Sequence, residues 1–204
     1  DFEGFTAAAR PVLEGAGHTL TPMYDLDELT RLGAGDYDVV MSYTSLSKHR
    51  EGQPATEPQT LTPEQTTALA EWVRGGGALL GVHSATVSGI ENPAFKALLG
   101  GRFVSHPPQF VFTVAPTYRP HPITEGVEAF SVKDEMYIQE YERDVDIHMV
   151  TVDRGVAYPM VWSRTEGRGR VAHITLGHDE KVWSHPSFQR LLLQALDWTT
   201  CVTG

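Results

Sequence analysis

Gly76-Gly77-Ala78-Leu79-Leu80-Gly81-Val82-His83-Ser84-Ala85 is the stretch whose reading decides the fold of this chain. Ala78 to Val82 run without a polar interruption, the pattern of a parallel strand buried on both faces. Glycines precede the run and two polar residues, His83 and Ser84, follow it. A strand that stops so sharply exposes a side chain at the carboxyl edge of its sheet, where open α/β sheets bind their ligands.

The pattern repeats on either side. Upstream, Phe5, Ala8, Ala9, Val12 and Leu13 keep helical spacing until Gly15-Ala16-Gly17 ends the run. An extended segment over residues 18–24 and a short helix around residues 26–32 follow. Asp38-Val39-Val40-Met41-Ser42-Tyr43 then reads as a second buried strand. Residues 45–60 read as an exposed loop. Thr62-Pro63-Glu64-Gln65 supplies an N-cap, a first-turn proline and a capping box for the helix that Gly75-Gly76-Gly77 stops. Downstream, Asn92-Pro93 opens a helix that ends at Gly100-Gly101. After it, residues 110–114, 147–152, 159–163 and 171–176 have strand character, with a turn at Glu166-Gly167-Arg168-Gly169. A last helix follows Pro186. The expected architecture is one α/β domain over residues 1–204, a parallel sheet flanked by helices with added antiparallel strands.

Composition bounds the function. Of 204 residues 41% are apolar and 21% charged, and no apolar run approaches the ~20 residues of a membrane span. A soluble protein without a membrane partner is expected. A net charge of -10 disfavours nucleic acid and suits a neutral or cationic small molecule. Cys201 stands alone, so neither an internal disulfide nor a cysteine-rich zinc site can form. This suits a reducing, cytoplasmic compartment. Asp1-Phe2-Glu3-Gly4-Phe5 already reads as a helix, so the opening strand of such a fold is expected to lie outside residues 1–204. That leaves export open, as homo-oligomerisation is.

Four stations carry candidate chemistry. His83 and Ser84 follow the decisive strand; an imidazole there suits a general base or a metal ligand, or simply bonds its own turn. His106-Pro107 and His121-Pro122 are histidine–proline pairs in loops, where proline can pre-aim the ring; His121 reads equally well as turn chemistry. In Lys133-Asp134-Glu135-Met136-Tyr137, Glu135 and Tyr137 share a face of an extended segment and Asp134 takes the other. Gly177-His178-Asp179 ends a strand in which His173 reads as a packed structural residue. There Asp179 can orient His178, and Trp183 offers a ring to the apolar face of a sugar. His83, Glu135 and His178 are the catalytic candidates. Ser84, His106, His121, Asp134, Tyr137, Asp179 and Trp183 are the substrate-binding ones. His106 and His178 are candidate ligands for a divalent metal such as zinc, although no short His-x-His or His-x-x-x-His spacing is present.

Seven of these stretches occur in a telling order: Gly81-Val82-His83-Ser84-Ala85, Leu99-Gly100-Gly101-Arg102-Phe103 with His106-Pro107, His121-Pro122-Ile123-Thr124, Asp134-Glu135-Met136-Tyr137, Pro159-Met160-Val161-Trp162, Gly169-Arg170-Val171 and Leu176-Gly177-His178-Asp179. In this the chain resembles the trehalose-utilisation (ThuA-like) family across residues 75–198. The resemblance implies a flavodoxin-like fold of the class I glutamine amidotransferase type and a role in the metabolism of trehalose or a related sugar. A glutaminase needs a cysteine thiolate where this chain has His83-Ser84, so that activity is excluded. Ser84 also lacks the Gly-x-Ser-x-Gly setting of a hydrolase nucleophile. The leading expectation is an enzyme of hydrolase or isomerase type acting on a sugar or oxidised sugar, by His/Glu acid–base or metal-assisted chemistry. The alternative is a non-catalytic carbohydrate-binding or regulatory module.

Overall fold

The computed structural model describes residues 2–43, 47–48, 56–58 and 61–201. Most of the expected 45–60 loop therefore lies outside the described residues. Seven strands form the main sheet: β1 (Val39–Ser42), β4 (Ala78–Val82), β6 (Phe110–Pro116), β7 (Phe130–Asp134), β9 (Asp146–Asp153), β10 (Val156–Glu166) and β11 (Gly169–Ile174). Two short pairs stand beside it, β2 (Ser47–Lys48) with β3 (Thr56–Pro58), and β5 (Gly101–Ser105) with β8 (Ile138–Tyr141). The order in the main sheet is β1-β4-β11-β10-β9-β6-β7. β1, β4 and β11 are parallel, whereas every pairing from β11 to β7 is antiparallel. The sheet is thus mixed, with antiparallel pairings a larger share than the sequence suggests.

β4 sits between β1 and β11 and is buried along its whole length. Its side chains alternate between two cores. Leu80 and Val82 join Phe5, Leu13, Phe188, Leu191 and Leu192 on the side of α1 (Phe2–Gly15) and α5 (Pro186–Thr200). Leu79 joins Leu69, Val73, Phe95 and Leu99 on the side of α2 (Pro63–Arg74) and α3 (Pro93–Leu99). Helices on both faces explain why the strand has no polar face. Gly81 permits the closeness of one of these layers: a Cβ there would stand 2.7 Å from Nδ1 of His173 and 2.7 Å from Cδ1 of Leu99.

The caps form as read. Thr62 and Gln65 make a reciprocal capping box, and Gly100, with φ 88°, closes α3 in the left-handed region. Residues 18–24 join no sheet, and residues 26–31 form a 3-10 helix. A cavity of about 670 Å³ lies between that segment, β1 and α1, lined among others by His18, Leu20, Met23, Val40 and Tyr43. No described helix is long and apolar enough to cross a membrane.

Two buried histidines outside the cluster of candidate residues, His148 and His173, make stability depend on pH. His148 (3% exposed) bonds Oγ of Ser163 at 2.7 Å, and His173 (0%) packs on Trp162 with no well-formed hydrogen bond to either ring nitrogen. Burial pushes both down to about 3. Each stays neutral in the fold while the unfolded chain takes up a proton near pH ~6.5. Their contribution is whole above that pH and is lost on acidification towards 3. Urea unfolding at pH 7.5, 6.5 and 5.5 is expected to show a progressive loss below 6.5, at most ~1.4 kcal/mol per pH unit for each histidine. A flat profile over this range, which lies above the titration of ordinary carboxylates, would contradict it.

Candidate active site

The topology brings the candidate stations to one edge. Four successive antiparallel pairings separate β11 from β7, so β7 again runs in the direction of β4 and β11. The residues after β4, β7 and β11 therefore emerge together. β4 delivers His83, whose φ of 47° is a left-handed backbone, uncommon for a non-glycine residue. It opens a 3-10 helix over residues 83–89. β7 delivers Asp134, followed by Glu135 and Tyr137, and β11 leads through Thr175 to Gly177 and His178.

His83 is 3% exposed. Its Nδ1 lies 2.9 Å from the carbonyl of Thr175, which can only accept, so Nδ1 carries a proton and donates it there. Nε2 is left facing the rim. Around it stand the hydroxyl of Tyr137 at 3.1 Å, Nδ1 of His178 at 3.3 Å and Oε2 of Glu135 at 3.4 Å. Oε2 of Glu135 is also 3.1 Å from Nδ1 of His178 and 3.9 Å from Nε2 of His106. One carboxylate oxygen thus lies among three imidazoles. The His178 side chain is 40% exposed and Glu135 15%, so the cluster opens to solvent on the His178 side.

Charge follows this geometry. The hydrogen bond with His83 holds Glu135 below its ordinary range, helped by the His178 and His106 charges against partial burial. Burial raises the phenol of Tyr137 far enough that it keeps its proton, and raises that of Tyr43 to about 12. The site therefore offers an ionised carboxylate and a protonated phenol on one imidazole nitrogen, a set fit to take and return protons.

Other candidates have different neighbours. Asp134 is fully buried; Oδ1 accepts from the backbone of Glu135 at 2.8 Å and His178 at 3.3 Å, and Oδ2 from that of Gly177 at 2.8 Å. It holds the strand ends together and presents no face to a ligand. Asp179 caps the short helix α4 (Glu180–Trp183) by accepting from Lys181 and Val182, so it does not orient His178; Glu135 does. Trp183 is 3% exposed, packed by Phe5, Tyr43 and Phe188 and donating its indole N–H to the carbonyl of Gly177. Its ring is core and gives a sugar no platform. His121 stacks on His148 at 3.8 Å and touches Trp198, outside the cluster. Ser84 bonds the carbonyl of Tyr43 beside the site. His106 stacks on Tyr137 with ring centroids 5.5 Å apart.

Sequence reading missed Tyr43. It follows β1 at the same edge, stacks on Phe5 and donates to the carbonyl of Gly177 at 2.7 Å. The strand-end rule that singled out His83 applies to it equally. The large cavity beside β1 meets this region at Tyr43 but is not lined by His83, Glu135 or His178. The titratable groups converge at the cluster and not in the apolar slot.

A family model for ThuA, described as trehalose utilisation, matches residues 6–199. The chain belongs to the ThuA family. Among solved structures it is similar to a ThuA-like protein of Parabacteroides merdae, with a TM-score of 0.74 and 19% identity over 100% of this chain and 88% of that one. A ThuA-like protein of Bacteroides uniformis gives 0.71 and 19%, over 97% and 83%. A β-galactosidase from Bacillus circulans sp. alkalophilus gives 0.57 and 13%, over 82% of this ThuA chain but 23% of the enzyme. No curated protein gives a significant match.

Proposed function

We propose that this ThuA-family protein is an enzyme that acts on trehalose or a related, oxidised sugar, with His83, Glu135 and His178 as its reacting centre. The observation that carries this reading is the placement of Oε2 of Glu135 within 3.4 Å of Nε2 of His83 and 3.1 Å of Nδ1 of His178, at the rim of the sheet. Glu135 takes a proton from a sugar carbon or hydroxyl, and His178, the most exposed member, passes it to or from solvent. Tyr137 and His106 line the approach and hydrogen-bond sugar hydroxyls. The left-handed backbone of His83 at the end of β4 supports a flavodoxin-like, amidotransferase-type arrangement in which histidine stands at the nucleophile's elbow.

The second reading is a module that binds sugar without changing it; the same fold recurs as one part of a much longer β-galactosidase. Calorimetry with trehalose and its oxidised derivatives, followed by product analysis, separates the two. Turnover that disappears in His178→Ala is expected. Binding without any product would favour the module.

A further inference from the structure

We propose that Nε2 of His83, Nδ1 of His178 and Oε2 of Glu135 are a facial three-ligand site for one divalent transition cation of the zinc or manganese class. The proposal rests on the reading above for the place of the site and is tested without any sugar.

The three atoms form a triangle with edges of 3.1, 3.3 and 3.4 Å. Around a cation bound at ~2.1 Å, neighbouring donor atoms stand about 3.0 Å apart in an octahedron and about 3.4 Å apart in a tetrahedron. All three edges fall in that interval. A cation 2.1 Å from each atom would sit roughly 1 Å above their plane. Together they make the one group of three or more histidine, cysteine or acidic side chains, among the described residues, whose donor atoms converge closely enough for an ion.

The direction of the donor atoms points the same way. With Nδ1 of His83 committed to the carbonyl of Thr175, Nε2 is the ring nitrogen that faces the carboxylate and His178. Oε2 of Glu135 and the two imidazole nitrogens can each turn a lone pair on one shared cation. The supporting bonds are those of a built metal site. Thr175 fixes the tautomer and ring of His83, and Asp134 accepts from the backbone N–H of both Glu135 and His178. Two imidazoles and one carboxylate, without a thiolate, suit zinc, manganese or ferrous iron rather than calcium. Partial exposure of His178 and Glu135 leaves the remaining positions open to water or a ligand.

The test strips untagged protein with chelator, dialyses it against Zn²⁺ or Mn²⁺, and measures bound metal and the melting temperature. About one equivalent is expected, with a rise of about 5–10 °C at a hundredfold excess over Kd. His178→Ala and Glu135→Gln, both at partly exposed side chains, should melt like the stripped wild type and lose at least ~100-fold in affinity. Wild type below about a tenth of an equivalent would overturn the site, and so would variants that bind and stabilise like wild type. Absent metal with sugar turnover still lost in His178→Ala would sink the cation and leave the sugar reading. Bound metal with no sugar ever converted would do the reverse.

Discussion

Glu135→Gln is expected to lower kcat/KM on the sugar substrate by 10²–10⁴-fold while leaving the melting temperature within about 2 °C of wild type stripped of metal. The amide keeps the shape of the side chain and loses its charge. Oε2 stands 3.4, 3.1 and 3.9 Å from three imidazoles, so a single oxygen serves His83, His178 and His106 together. Glutamine cannot accept a proton from substrate. Stability is little affected because the side chain is partly exposed and the backbone bond from Glu135 to Asp134 survives. The effect should fall on kcat, since the carboxylate acts on the transition state more than on binding. Steady-state kinetics with circular dichroism melting checks it. A variant with wild-type kcat would remove Glu135 from the chemistry.

Asp134→Ala is expected to have the largest effect on the fold, about 2–4 kcal/mol of lost stability. Its carboxylate accepts three backbone N–H groups and ties the end of β7 to the Gly177-His178 corner after β11. Burial raises its pKa, opposed by the His83 charge and by those three donors, so the carboxylate is costly to bury and still more costly to remove. Alanine leaves three donors, the backbone N–H groups of Glu135, Gly177 and His178, short of a partner. His178 and Glu135 should lose their register, so activity falls together with stability. Urea unfolding of Asp134→Ala and Asp134→Asn measures this, with asparagine the milder change because it keeps one acceptor oxygen. A loss under 0.5 kcal/mol in Asp134→Ala would show that the corner is held by other contacts.

The legible parts of the molecule were those written locally. The continuous run from Ala78 to Val82 announced a strand covered on both faces, and Thr62 with Gln65 announced a capped helix; both are present. The spacing of Glu135 and Tyr137 puts them on one face, and both reach Nε2 of His83. What stayed hidden depends on pairings distant in sequence. Phe130 to Asp134 alternates buried and exposed residues, yet its place beside β6 decides that Asp134 and Glu135 emerge with His83. The pairing of β5 with β8 is equally non-local. Trp183 and Asp134 show the limit of reading residue type alone. An indole beside a polar strand end can be platform or core, and here it packs between Phe5, Tyr43 and Phe188. A carboxylate beside another carboxylate can be reagent or clasp, and the backbone donors of Gly177 and His178 make Asp134 the clasp.

The central claim is that the sugar binds at the histidine–carboxylate rim. Protein with ¹⁵N-labelled histidine side chains, titrated with trehalose and its oxidised derivatives by NMR, tests it most directly. The rings of His83, His106 and His178 should shift together with saturation, while the buried rings of His148 and His173 stay in place. Saturable binding that moves His18, in the cavity beside β1, and leaves the three rim histidines unchanged would contradict the account.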